Sequence, residues 1–249
     1  MGSYGEYDRK FHALKRQRGI MDMDRKKIVF KESEEGEYTL LWVYRYLGGL
    51  ISEGLINTKI TANQLTYFSL ILIFLASCCF FTGGYLFFLL GAVLIQFYHV
   101  IDCADGMLAR IRGHESVFGD LLDTIAGHSR EIIVFFCLCY ALYRQTDDVT
   151  VWMLGFLVTG GSMFIRLLDG KVKSSAKEQK TVKDLKKKAN IFVRQAFHIT
   201  HTKYLLVLIG AVFNCMYFML AVITLYIYAA LAGIIYILGK KTLSLDRSA

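Results

Sequence analysis

Residues 85–110 read YLFFLLGAVLIQFYHVIDCADGMLAR. As far as Ile101 the run holds no charged residue, and then Asp102, Asp105 and Arg110 arrive within nine positions. A bilayer is crossed by about 20 consecutive apolar residues in a helix. The spacing therefore predicts a span over 85–101 whose last turn meets the membrane surface at Asp102, followed by a short basic connection.

Working outward, further apolar runs at 64–82, 117–143, 149–168, 204–216 and 217–239 also predict spans. The 117–143 run carries charges in its first half, and 204–216 is short or tilted for a crossing. Residues 38–56 set Leu41, Tyr44, Leu47 and Ile51 at helical spacing but are interrupted by Arg45 and Glu53, as in an amphipathic helix lying on a membrane surface. The expected fold is all-α: a polytopic membrane bundle of six transmembrane helices preceded by that surface helix. Residues 1–37, polar and rich in Lys and Arg, form a cytoplasmic extension, and 38–249 form one transmembrane domain.

The composition agrees. Of 249 residues 55% are hydrophobic, and mean hydropathy is +0.41, above the soluble average. The net charge of +8 flanks apolar runs, which favours anionic lipid headgroups and phosphate substrates over nucleic acid. Six cysteines lie mostly inside apolar runs with no CxxC pair, so neither a disulfide framework nor a zinc site follows. The first sixty residues are too polar for a signal peptide. Residues 1–60 carry eleven Lys/Arg and 169–203 carry ten, whereas the connections on the opposite side carry Arg144 alone. The positive-inside rule puts both termini and the 102–116 connection in the cytoplasm.

Chemistry concentrates after His99. Asp102 and Asp105 are three apart and share a helical face. Asp123 begins the next, antiparallel span, and a short connection returns its carboxylate toward them. One aspartate at a helix end is readily a cap. Three converging carboxylates repel and need a counter-charge, for which hard oxygen ligands favour Mg²⁺ or Mn²⁺, with Ca²⁺ also suited. Gly106 removes a side chain where a pyrophosphate would approach, Ala109 keeps the next turn small, and Arg110 suits bidentate phosphate binding.

This segment resembles the signature of the CDP-alcohol phosphotransferase family, D-x2-D-G-x2-A-R-x8-G-x3-D-x3-D. Asp102, Asp105, Gly106, Ala109, Arg110, Gly119 and Asp123 fall in register. Upstream, residues 61–66 (TANQLT) resemble the family's T-P-N-x-x-T, with Ala62 in place of proline. The resemblance covers about 38–240. It implies an integral-membrane transferase that moves a substituted phosphate from a CDP-linked donor to a hydroxyl acceptor, lipid or phosphorylated polyol, with release of CMP. It further implies that Asp102, Asp105 and Asp123 hold metal, that Asn63, Thr66, Asp105, Gly106, Ala109, Arg110 and Gly119 shape the nucleotide pocket, and that the chain forms a homodimer.

The signature's fourth aspartate is replaced by Gly127. Three readings stay open: His128 acts as the base, since its ordinary pKa suits the role; Glu131, one turn deeper, acts instead; or the chain is a catalytically silent binding homologue. On the acceptor side Arg166 lies inside the fourth span, where an ionisable residue is a functional candidate by default, with Lys171 nearby. His99 is expected to make a hydrogen bond within the bundle, and the pair His198 and His201, lacking a third ligand, is not expected to bind metal. A transporter, the other function class, would string polar residues through several spans. Here they gather at one end.

Overall fold

The computed structural model describes the backbone of residues 41–112, 117–176 and 199–246, with side chains over 42–112, 124–168 and 201–236. The N-terminal extension, His198 and the side chains of Asp120, Asp123 and Lys171 lie outside the described residues. Seven helices appear among the described residues: α1 Leu41–Leu55, α2 Ala62–Thr82, α3 Tyr85–Arg112, α4 Val117–Thr146, α5 Thr150–Ala176, α6 Ile199–Val212 and α7 Met216–Asp246. No strand occurs among them.

α2 starts on a capping box. Thr61 N donates to Gln64 Oε1 at 2.9 Å, and Gln64 N donates to Thr61 Oγ1 at 3.3 Å. These reciprocal bonds satisfy donors that a helix start leaves over. Ala62 fills the first helical position, where proline is favoured because its missing N–H costs nothing there. The cap makes that proline dispensable. Gly83 (φ 76°) and Gly84 (φ 88°) then turn the chain into α3 through conformations that side chains resist. The α6–α7 turn uses Asn214 at φ 51°, a position that asparagine tolerates.

Five helical segments are long and apolar enough to cross a membrane: 62–82, 85–112, 124–146, 150–168 and 216–236. The expected fifth span is a shorter apolar helix, 201–212 within α6. The chain is thus a polytopic helical bundle with large exposed apolar side chains such as Leu86, Phe156, Phe213 and Leu225 on its outside, the pattern of a multi-pass membrane protein.

One boundary differs from expectation in a way that matters for function. α3 does not end at 101 but runs on to Arg112, so Asp102, Asp105 and Arg110 stand on regular helix. Ala104, Met107 and Leu108 are buried there, and Ala104 and Leu108 cluster with Leu65 of α2. Burial of that stripe extends the helix past its membrane segment.

α3 packs against α1, α2 and α6; α4 against α2 and α5; and α7 against α5 and α6. The main core joins Phe80, Phe88, Ile95, Phe135, Leu138, Tyr204, Leu220 and Ile227 from five of these helices. α1 lies against the extended part of α3. A Cβ on Gly48 would meet Cys103 Cβ at 2.9 Å, so only glycine admits this approach. Ser52 Oγ lies 2.8 Å from both Gly48 O and Ala104 O. Arg112 donates to the carbonyls of Leu55 (2.6 Å), Thr58 (2.9 Å), Ile56 (3.3 Å) and Ile60, closing the C-terminal end of α1 where cations are favoured. The opposite face of α1 exposes Trp42, Val43, Tyr46, Leu47 and Leu50, as a surface helix requires.

Candidate active site

The acidic half of the site sits on the outer turns of α3. Asp102 and Asp105 are half-buried on consecutive turns. Thr66 of α2 donates to Asp105 Oδ2 at 2.7 Å, and Tyr98, one turn earlier on α3, donates to Asp102 Oδ1 at 2.6 Å. Each carboxylate is therefore oriented by a hydroxyl that donates to it. Arg110 is exposed, and its guanidinium folds back over Gly106, within 3.5 Å of where a Cβ would stand. Asn63 is exposed one turn before Thr66. Thr66, Asp105, Gly106 and Arg110 thus line one end of the α2–α3 pair.

α4 carries the other half. Gly119 and Asp123 lie on its first turns. His128 Nδ1 lies 2.6 Å from the Thr124 carbonyl. A carbonyl accepts, so Nδ1 is the donor in this contact, and the ring's acceptor position, in the tautomer that has one, is Nε2. Both Glu131 oxygens are engaged: Oε2 accepts from Arg166 Nη2 at 2.6 Å, and Oε1 accepts from Lys203 Nζ. Lys203 also donates to Ser162 Oγ at 3.0 Å. Glu131 and Lys203 are fully buried, while the Arg166 side chain keeps 25% exposure. The pair ties α4 to α5 and α6.

Arg130 joins the halves. It is buried with its guanidinium 4.6 Å from the Tyr98 ring and 5.6 Å from the Tyr204 ring, a cation–π arrangement strengthened by exclusion of water. Through Tyr98 it reaches Asp102.

His99 departs from expectation. It is fully buried among the rings of Tyr44, Tyr98, His201 and Tyr204, and neither ring nitrogen meets a hydrogen-bond partner among the described residues. Tyr44 donates instead to Gln96, which in turn donates to the Tyr204 carbonyl at 3.0 Å. Burial, with Cys103 adding to it, pushes the Tyr44 hydroxyl up to about 12, so it remains a neutral donor.

The sequence profile of the CDP-alcohol phosphatidyltransferase family matches residues 59–238, from the α2 cap to the last span. The chain belongs to that family. No curated protein matches it. Membership makes it one of a family of membrane transferases. The profile spans α2 to α7 and leaves out the surface helix α1.

Sequence reading singled out Asp102, Asp105, Arg110, Thr66, His128, Glu131 and Arg166. Of these, the structure joins Thr66 to Asp105 and Glu131 to Arg166. Sequence reading did not single out Tyr98, Ser162, Lys203 and Arg112. Lys203 was counted among loop cations, yet it is a buried partner inside α6; without it the 169–203 stretch still keeps nine Lys/Arg.

Among the described residues no three His, Cys, Asp or Glu side chains group closely enough to hold a metal ion. The described donors are two adjacent carboxylates, a hard-oxygen set that fits Mg²⁺ or Mn²⁺ once a third carboxylate joins.

Proposed function

We propose that this chain transfers a substituted phosphate from a CDP-linked donor to a hydroxyl acceptor and releases CMP, at the cytoplasmic end of its bundle. The observation that carries the reading is the bond from Thr66 to Asp105, because it ties the TANQLT segment to the aspartate motif as one site within the family match. Asn63, Thr66, Gly106, Ala109, Arg110 and Gly119 would shape the nucleotide pocket. Asp102 and Asp105, with Asp123, would hold Mg²⁺ or Mn²⁺, and a divalent ion there would neutralise charge on the donor's pyrophosphate.

His128 Nε2 is the base that fits best, since its lone pair is kept available by the bond at Nδ1. The acceptor hydroxyl gives its proton to Nε2, its oxygen bonds to the phosphorus that carries the donor's alcohol, and the bond from that phosphorus to the CMP oxygen breaks. Glu131, with both oxygens on cations, serves by position rather than as base. Arg166 and Lys171 belong to the acceptor side. The distribution of Lys and Arg supports cytoplasmic termini and a cytoplasmic site.

The test is CMP release by the purified full chain from CDP-diacylglycerol and from soluble CDP-alcohols, with Mg²⁺ or Mn²⁺ and a panel of hydroxyl acceptors. Metal-dependent release is expected, falling at least about 100-fold in Asp105→Asn, as for loss of a preorganised charge contact. Release indifferent to metal overturns the reading. Gly127 favours a second reading, a nucleotide-binding homologue without turnover, and tight CDP binding with no release across the panel would select it.

A further inference from the structure

Gly127 stands one turn before Glu131 on α4. A Cβ placed there would meet Nη1 of Arg166 at 3.4 Å, and no other non-neighbouring side chain among the described residues comes as close. The same guanidinium gives Nη2 to Glu131 at 2.6 Å. Glu131 is itself held from the far side by Lys203, which is anchored on Ser162. One edge of Arg166 is thus fixed by a buried carboxylate, and the other faces the space that glycine leaves. Arg166 keeps a quarter of its side chain exposed, so a ligand can reach it.

Among the described residues cations outnumber carboxylates in this region. Arg166 and Arg130 both lie within electrostatic reach of Lys203. Glu131 bonds two of them, and Arg130 meets Asp102 through Tyr98, whose hydroxyl is on the carboxylate and whose ring lies under the guanidinium. Arg130 Nε is buried without a hydrogen-bond partner among the described residues. Cations taken out of water demand compensating anions. A carboxylate at 127 would supply one internally, and this chain lacks it.

We propose that Glu131 and Lys203 are positioning residues that hold Arg166 across the gap at Gly127, where its free-facing edge reads a phosphate group carried by the second reactant. Gly127 is then a specificity-determining position: its missing side chain keeps the guanidinium available. This rests on the phosphotransferase reading, and it adds the acceptor's chemical class. A planar guanidinium held by one edge suits a tetrahedral phosphate better than a neutral hydroxyl.

The experiment titrates inorganic phosphate against thermal unfolding of the full chain in nanodiscs, with Mg²⁺ and saturating CDP so that the donor pocket is filled. Wild type is expected to be stabilised. The phosphate midpoint should rise about 10- to 100-fold in Arg166→Gln, the range for a charged hydrogen bond, and less in Arg166→Lys. Gly127→Asp should raise it similarly, because the new carboxylate captures Arg166, whereas Gly127→Ala should leave it near wild type. Glu131→Gln should weaken phosphate more than it weakens CDP, a split that general loosening of the fold does not produce. Glycerol 3-phosphate and dispersed phosphatidic acid, titrated alongside, tell a soluble phosphate from a lipid headgroup by which one shows the lower Arg166-dependent midpoint. Absence of phosphate stabilisation in wild type, or an unchanged midpoint in Gly127→Asp, overturns the proposal. Failure of CDP to stabilise the chain sinks the donor reading instead, and the comparison of wild type with Arg166→Gln in phosphate alone still decides this one.

Discussion

Among the contacts of Tyr98 two differ in kind: its hydroxyl donates to Asp102 and its ring carries Arg130. Tyr98→Phe keeps the ring and removes the donor, so the expected change is a reoriented Asp102 with Arg130 still seated. Metal affinity, read as the Mn²⁺ dependence of CDP binding, should weaken about 10-fold, in the range of lost outer-sphere hydrogen bonds at metal sites, with little change in thermal stability. Glu131 behaves in the opposite way. Glu131→Leu strands Lys203, a fully buried cation, and the expected loss of stability is about 3–5 kcal/mol by thermal or denaturant unfolding. The double variant Glu131→Leu with Lys203→Met should recover most of it, because a hydrophobic replacement of both partners removes the uncompensated charge. The aspartates and arginine of the motif were legible in sequence because their spacing is itself the signal. Lys203 was not, because its partner lies 72 residues away on α4 and no local pattern reports a pairing between two helices.

α1 and α3 meet where glycine allows it. Gly48→Ala puts a methyl 2.9 Å from Cys103 Cβ and 3.0 Å from the backbone of Ala104. Backbone cannot yield as a flexible side chain would, so α1 must move. A loss of about 1–3 kcal/mol is expected from such overpacking, read as faster proteolysis within 41–60 before global unfolding. The surface helix was foreseen from its mixed apolar and charged character. The extension of α3 was not, because the charges after Ile101 masked a buried stripe. In retrospect Ala104, Met107 and Leu108 carry the signal, three and four apart. The α2 cap, by contrast, was present in the letters TANQ and is realised in its hydrogen bonds.

Across the whole bundle, apolar length was enough to read the class of fold, and five of the six expected crossings meet the length and apolarity for one. The remaining one, the expected fifth, ends early because the chain between α6 and α7 turns at Asn214, two residues after Val212. At the end of the bundle away from the aspartates, Asp148 accepts from Thr150 N at 2.9 Å and from the Tyr217 hydroxyl at 2.6 Å. The Thr150 side chain and then Tyr217 hold its carboxyl below the usual range. A depressed folded pKa contributes stability above the unfolded value, near pH 4, and loses it as pH falls through the folded value. Tyr217→Phe should therefore lower the unfolding temperature at neutral pH and flatten its acid limb, with variant and wild type converging as Asp148 becomes protonated below about pH 4.

The clasp formed by Arg112, Ser52 and Gly48 has a mechanical result. It fastens a helix whose outer face carries Trp42, Tyr46 and Leu50 to the backbone between the two motif aspartates, at Cys103 and Ala104. Trp and Tyr side chains are favoured at the level of lipid headgroups. Whatever level that aromatic face takes, Asp102 and Asp105 keep a fixed offset from it, because α1 is fastened to the backbone between them.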